Sequence, residues 1–510
     1  MVDLTIRGDT VSKFSYKLKE LFSVKSVDKR MVAQALHIDR ALLYRYMNDQ
    51  AFPEDTGFLE QLRNELCLTP YEYKELVESY EITKLGEDVY QGRQMVAGIL
   101  DNLLKQPQSF VPLPKPSPLP SGEAVRILKD RDMIYSSLLS IIMDERSTTI
   151  RMNMQPDQDF VCKSLFQILR DKATSQETQI RHVLRFQSKT GDNINSYNLN
   201  IFSRLLPMLY YCIFYTNSTY FANYYYNNQA AVDERAMDLF PNILITPWCV
   251  IVMSFSYDNG LLYLGEDVAE MYRKNFDRIL ENTFSFVKSG LTPSQKDEIL
   301  ENCQSRPYRD YIFKSHPSAL IGLDEDFYTS SYMEKATKQP GLAEHFIEYH
   351  RQRERTQYSD CHLSRKDFFT SSGLRRFIET GTLATFYSEY ALPLSRPDIL
   401  RFFERYVKTI ESNPNFECHM IQDEVPGSYA SSFGIFIFDE NTLVFENSRR
   451  RIYNLTSLIE VTEKSIVDAF YDYLNTGLKS SQAVLGYEET LAVLKEKIEE
   501  LRQELKSSNR

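Results

Sequence analysis

The chain is poor in residues that staple, anchor or cut. Its 510 residues include seven cysteines (Cys67, Cys162, Cys212, Cys249, Cys303, Cys361 and Cys418) and a single tryptophan. The cysteines are odd in number and never stand in C-x-x-C spacing. This excludes a disulfide framework and points to reduced thiols in a cytoplasm. No apolar run is long enough to span a membrane; the longest, around Leu205 to Phe214 and Ile243 to Phe255, are short and interrupted. No signal peptide is read at the N-terminus, so the membrane is not an expected partner. Lys and Arg (59) are outnumbered by Asp and Glu (70), a net charge of −11, which excludes a surface that coats nucleic acid throughout.

Catalytic signatures are also missing. The chain has no G-x-x-x-x-G-K-[ST], no G-x-G-x-x-G, no H-E-x-x-H and no G-x-S-x-G. His345 and His350 are five apart, which does not bring both to one helix face. Cys361-His362 and Cys418-His419 are adjacent pairs whose side chains diverge, so no metal and no cofactor is expected. Asp258, Glu266 and Asp267 read as turn and cap residues rather than an acid–base pair. Arg449-Arg450-Arg451 reads as a solvated loop, with an anionic ligand as its alternative role.

What the chain does have is concentrated between Asp28 and Asp49. Val32 and Leu36 share one face of a short helix, and Ala33 between them lets a second helix approach closely. His37-Ile38 makes a turn, with Ile38 filling the apolar gap beneath it. Asp39 is a good N-cap for a second helix, because its carboxylate accepts the free N–H groups there. On that helix Leu43 and Tyr46 face inward, while Arg40, Ala41, Tyr44, Arg45 and Asn48 face outward. A helix of this kind can enter the major groove, where Arg reads guanine and Asn reads adenine. Lys29 and Arg30 are phosphate candidates. Residues 1–50 carry nine Lys/Arg against six Asp/Glu, and residues 51–105 carry five against eleven. A locally basic head on an acidic body suits a site-specific binder.

This spacing resembles the phage-repressor-like (XRE) helix-turn-helix family over roughly the first 70 residues, with Ala33, Ile38, Leu43 and Tyr46 at the family's apolar offsets. His37 stands where the family uses Gly, so a less willing residue must hold the left-handed turn. Thr69 to Tyr80, Gly86 to Tyr90 with Arg93, and Gly373 to Gly381 look like pieces of large regulators common in anaerobic Firmicutes, which carry such a head before an uncharacterised region.

The domains expected are a helix-turn-helix at 1–69, a helical extension at 70–105 and a linker at 106–121, in which six prolines among sixteen residues favour an extended rod. Beyond it helices and strands alternate. A helix is expected over 123–144, strands at Thr148 to Met154 and Gln179 to Phe186, and an apolar hairpin turning at Asp258-Asn259-Gly260. The Tyr-rich stretch around Tyr210 to Tyr226 reads as an aromatic core, with a ligand pocket as the alternative. Helix, strand, apolar hairpin and helix recur about 185 residues later, which suggests a duplicated α/β unit at 122–290 and 366–480 joined by a helical segment at 291–365. A final helix over 485–507 carries Tyr487, Leu491, Leu494, Ile498, Leu501 and Leu505 as a heptad seam, which would serve a coiled coil or lie on its own domain.

The fold class expected is therefore multidomain: an all-α helix-turn-helix head, a larger α/β (α+β) region and a C-terminal helix. The duplicated order looks like the phospholipase-D-like sensor domains of transcription regulators. The H-x-K pair of the enzymes is missing, since His182-Val183-Leu184 has no Lys, so that resemblance implies a non-catalytic body. The function expected is a cytoplasmic, dimeric, sequence-specific transcriptional regulator that binds double-stranded DNA and senses a small-molecule or peptide effector. The alternative is a phosphodiesterase or nuclease tethered to DNA by the head.

Overall fold

A computed structural model describes residues 11–104, 116, 124–188, 195–214, 218–227, 240–289, 310–314, 316–322, 365–382, 393–422, 433–439, 441–447, 458–478 and 484–508. The Pro-rich stretch, apart from Pro116, lies outside the described residues, as do His345, His350, Cys361, His362 and the Arg449–Arg451 triplet. The chain divides into two compact units, Met1–Gln94 and Met95–Arg510.

The first unit is all helix: α1 (Lys13–Lys25), α2 (Lys29–Ala35), α3 (Arg40–Met47), α4 (Gly57–Glu65) and α5 (Pro70–Leu85). The unit boundary falls within α6 (Glu87–Leu104). Phe14, Leu18, Leu21 and Phe22 of α1 meet Val32, Ala33, Leu43 and Leu59 in one buried cluster. Leu76 and Tyr80 of α5 are wholly buried in that same cluster, so the head's core reaches past residue 69. Thr69 starts α5 with a reciprocal capping box to Glu72 and Pro70 in its first turn, which satisfies N–H groups the helix cannot pair itself. Lys25 beside Glu72, with the Thr69 groups, holds that carboxylate down at about 2.

The second unit is built on one fourteen-stranded mixed sheet, in the order β1-β7-β6-β5-β2-β3-β4-β8-β14-β13-β12-β9-β10-β11. The first seven strands are β1 (Val125–Leu128), β2 (Thr149–Met152), β3 (Gln179–Phe186), β4 (Thr219–Tyr226), β5 (Asn242–Ile245), β6 (Cys249–Met253) and β7 (Gly260–Leu264). The rest are β8 (Phe284–Ser289), β9 (Asp310–Lys314), β10 (Arg365–Thr370), β11 (Phe416–Ile421), β12 (Phe433–Asp439), β13 (Thr442–Asn447) and β14 (Leu458–Val461). Strands β2, β3 and β4 run parallel, as do β9, β10 and β11. The remaining neighbours in each half are antiparallel. The order 1-7-6-5-2-3-4 thus occurs twice, with β8 taking in the second half the place β1 holds in the first. The two halves join antiparallel through β4 and β8.

This duplication corrects two expected boundaries. The second repeat opens at β8 rather than near residue 366. The segment 291–365, expected to be helical, supplies β9, whose Tyr311, Ile312 and Phe313 give it a sheet-forming sequence between β10 and β12. The helix expected over 123–144 is likewise a strand and then a helix. Val125 and Ile127 alternate with Arg126 and Leu128, and Asp130 then caps α7 (Arg131–Met143) by accepting from the Met133 N–H.

Helices α8 (Phe166–Ser175), α9 (Ser196–Phe214), α10 (Glu266–Leu280), α11 (Ala319–Gly322), α12 (Ser371–Thr380), α13 (Arg396–Ser412), α14 (Lys464–Asp472) and α15 (Tyr487–Ser508) complete the unit. One apolar core runs through both repeats, and Phe202 of α9 lies against Phe286, Phe445 and Phe470. Two polar links cross the same junction: Asn198 Nδ2 donates to Ser465 Oγ at 3.0 Å, and the Tyr226 hydroxyl donates to Glu463 Oε1 at 2.9 Å. Of the aromatic-rich stretch, Tyr210, Tyr211 and Phe214 end α9, and the residues from Tyr220 to Tyr226 lie in β4, whose Tyr220 and Tyr224 are buried in this core. The seam of α15 is decided too. Leu491, Leu494, Ile498 and Leu501 are buried against Phe403, Val407 and their neighbours, and Arg502 and Lys495 pair with Glu404 and Glu411 of α13. Among the described residues, no helix is long and apolar enough to cross a membrane.

Candidate nucleic-acid interface

The head holds α3 by its turn, its cap and its far end. At the turn, His37 adopts φ 54°, in the left-handed region, and the Ile38 N–H donates back to the Ala33 carbonyl at 3.0 Å. At the cap, Asp39 Oδ1 accepts from the Ala41 N–H at 2.9 Å. At the far end, Asp49, also left-handed, accepts from the Ser12 N–H at 2.6 Å, and Ser12 Oγ donates to the same carboxylate. The Asp49 N–H donates to Ser15 Oγ at 3.1 Å, while that hydroxyl donates to the Tyr46 carbonyl at 2.7 Å. The last turn of α3 is thereby tied to the first turn of α1. No sequence pattern points to this clasp, because its halves lie 37 residues apart.

The inward face of α3 carries Leu43 and Met47, both buried. Tyr46, expected inward, is only half-buried, with its ring edge-on to Phe58 at 5.2 Å; Met47 takes the deeper place. The outward face carries Arg40, Ala41, Arg45 and Asn48, all exposed, with Tyr44 half-buried among them. Tyr44 is covered by cations: the Arg40 guanidinium sits 5.3 Å from its ring centre and the Lys29 ammonium 5.4 Å. Arg40 Nη2 also donates to the Tyr44 hydroxyl at 3.3 Å, which lowers the phenol's pKa and raises that of the guanidinium. The structure therefore brings Lys29, Arg40 and Tyr44 into one group. Arg30 is exposed on α2 and Arg45 stands one turn further along α3.

Three of the four lysines of α1 are engaged in ion pairs. Lys13 pairs with Glu87, Lys17 with Glu20 and Glu75, and Lys25 with Glu72. Among the described residues, no ion pair engages Lys29, Arg30, Arg40 or Arg45. Acids of α5 and α6 thus pair with Lys13, Lys17 and Lys25 of α1, while Lys29, Arg30, Arg40 and Arg45 cluster on α2 and α3 outside such pairs.

In the second unit, His182 of β3 is wholly buried. Its ring nitrogens lie 2.6 Å from the Tyr220 hydroxyl and 2.6 Å from the Met154 carbonyl, and desolvation pushes its pKa down to about 4. Asp258 accepts from Ser254 Oγ at 2.7 Å inside the β6–β7 turn, and Glu266 and Asp267 begin α10. Cys249 is buried with its thiol pushed up to about 12 by desolvation. Among the described residues, no three His, Cys, Asp or Glu side chains gather as a metal site would need.

The sequence matches no protein-family model and no curated protein. Among solved structures, that of TrmBL2, an archaeal chromatin protein reported to show a novel mode of DNA binding, aligns with 53% of this chain and 99% of its own, at 10% identity and a TM-score of 0.21. A likeness that slight carries neither fold nor function across.

Proposed function

We propose that the N-terminal unit binds double-stranded DNA in a sequence-specific manner by laying α3 in the major groove, and that the chain is an XRE-type transcriptional regulator working as a homodimer. The observation that carries this reading is the outward face of α3: Arg40, Ala41, Arg45 and Asn48 are exposed and grouped on a helix fixed by cap, turn and clasp, and among the described residues no ion pair draws its guanidinium groups inward. Arg40, Tyr44, Arg45 and Asn48 are the base-edge residues in this reading, Ala41 is the close-approach position, and Lys29 and Arg30 contact phosphate. The α/β unit serves as the sensing and pairing part and takes a small-molecule or peptide effector.

The body in this reading is not an enzyme. His182, which has no Lys two positions on, has both ring nitrogens occupied and no solvent access, so it supports its strand rather than attacking a phosphodiester. The test is selection from random double-stranded DNA with the full chain, beside the Arg40→Ala, Arg45→Ala, Asn48→Ala triple variant. Enrichment of a two-fold-related site by the parent alone is the expected result. A parent that enriches no sequence refutes the proposal.

A further inference from the structure

The sheet of the second unit has two ends, and they are finished differently. At the β11 end the chain covers its own edge over the last two residues of the strand. Ile421 bridges to Val484, the Leu485 N–H donates to the Met420 carbonyl at 2.9 Å, and the Met420 N–H donates to Thr490 Oγ1 at 3.0 Å. At the β1 end no described residue does this. The Leu264 N–H donates to the Ala124 carbonyl, which fixes the phase of the β1–β7 ladder. In that phase the backbone groups of Arg126 and Leu128 face β7, and those of Val125 and Ile127 face outward. Val125 and Ile127 are also 50% and 62% exposed. Their cross-strand neighbours on that face are Tyr263 and Leu261, and Tyr263 stacks on Tyr272 of α10. Met271, beside Tyr272, is 54% exposed. The edge is thus apolar and offers unpaired donors and acceptors, a combination that invites another strand.

The chain itself shows what such an edge accepts. β8 occupies in the second repeat the place of β1 in the first, and its corresponding edge is paired antiparallel by β4. A second copy cannot repeat that junction along the full length of β11, because Val484, Leu485 and Thr490 already occupy its edge at Met420 and Ile421. Head-to-tail growth is therefore blocked, and the arrangement left is a closed two-fold pair of like edges.

We propose that β1 is where two copies of this chain join, antiparallel about a two-fold axis passing between the two Ile127 residues, so that one sheet continues into the other. This register sets Arg126 opposite Leu128. The alternative, with Val125 opposite Ile127, sets the two Arg126 side chains face to face and is disfavoured by like charge. The proposal names the surface for the dimer inferred above, and its test reads mass without DNA, so either idea can fail alone.

Full-length protein is weighed by sedimentation or light scattering across the micromolar range, as parent, Ile127→Lys and Ile127→Cys. Ile127 is exposed, so the lysine leaves the fold intact, which a melting curve checks. The parent should be a dimer, Ile127→Lys should weaken dimerisation at least tenfold, and Ile127→Cys should form an intermolecular disulfide on mild oxidation that the parent lacks. A monomeric parent, a dimer untouched by Ile127→Lys, or an Ile127→Cys variant that fails to cross-link overturns the proposal.

Discussion

Replacing Arg45 by alanine separates a base-reading residue from a merely basic one. Arg45 is exposed in the second half of α3 and no described ion pair holds it, so the change removes no described contact of the folded head. Stability should stay within about 0.5 kcal/mol of the parent, as surface substitutions usually do. If Arg45 makes a bidentate contact with guanine, binding to the selected site should weaken by ~1–3 kcal/mol, roughly 5- to 150-fold in Kd. Binding to unrelated DNA should fall much less. Arg30→Ala on α2 is the control. A phosphate contact carries no sequence information, so its loss should weaken selected and unrelated DNA alike and flatten the salt dependence by about 0.9 in log K per log salt. Fluorescence anisotropy with both DNAs at several salt concentrations measures all of these quantities. Equal losses for the two DNAs on Arg45→Ala would make Arg45 a backbone contact. No loss for either would remove α3 from the interface.

Other substitutions probe the scaffold. His37 bears a side chain at φ 54° and is exposed. His37→Gly should stabilise the head by up to ~1 kcal/mol, and the branched His37→Val should cost at least as much in denaturant unfolding; equal midpoints would mean the turn stores no strain. His182 is held neutral, with its pKa lowered from 6.5 to about 4. Between those pH values the unfolded chain binds a proton that the folded chain refuses, so stability falls as pH falls, by about 1.4 kcal/mol per unit at most. Urea midpoints of the parent should drop more steeply from pH 6.5 to 4 than those of His182→Gln, and parallel curves would contradict the assignment. Leu494→Ala empties a buried site between α15 and α13 and should destabilise the second unit by ~2–5 kcal/mol without changing oligomeric mass. Dissociation with an unchanged melting curve would mean that α15 holds two chains together after all.

The head was legible in sequence because its information is local. Val32, Ala33, Leu36, Ile38, Asp39 and Leu43 lie within twelve positions of one another, and helical periodicity alone says which face each takes. The Ser12–Asp49 clasp and the exchange of Tyr46 for Met47 in the core depend on where α1 and α4 pack, which periodicity does not state. In the second unit, single strands were legible, β3 to the residue, but their neighbours were not. β1 is hidden because four residues of alternation before a well-capped helix are easily absorbed into it. β9 is hidden because its partners β10 and β12 lie 55 and more than 120 residues further on. The duplication was visible only as a repeated order of elements; the strand order makes it a repeated topology.

Under the proposed function, an acidic chain has to keep its own carboxylates away from phosphate. The head does so with ion pairs rather than composition. Three lysines of α1 are neutralised by Glu20, Glu72, Glu75 and Glu87, so the acids of α5 and α6 spend their field on the protein. The cations outside these pairs include a small face on α2 and α3, where Lys29 and Arg40 crowd one tyrosine ring. Packing two cations on one ring repels both, and the neutral ring's negative face only partly offsets that. An approaching phosphate relieves the repulsion by taking up one of them. In the proposed function, nonspecific attraction would then draw on a few charges per head, and discrimination among sequences would fall to the side chains that reach base edges. In the proposed function, pairing off part of the positive surface in this way would let a chain of net charge −11 search DNA without adhering to all of it.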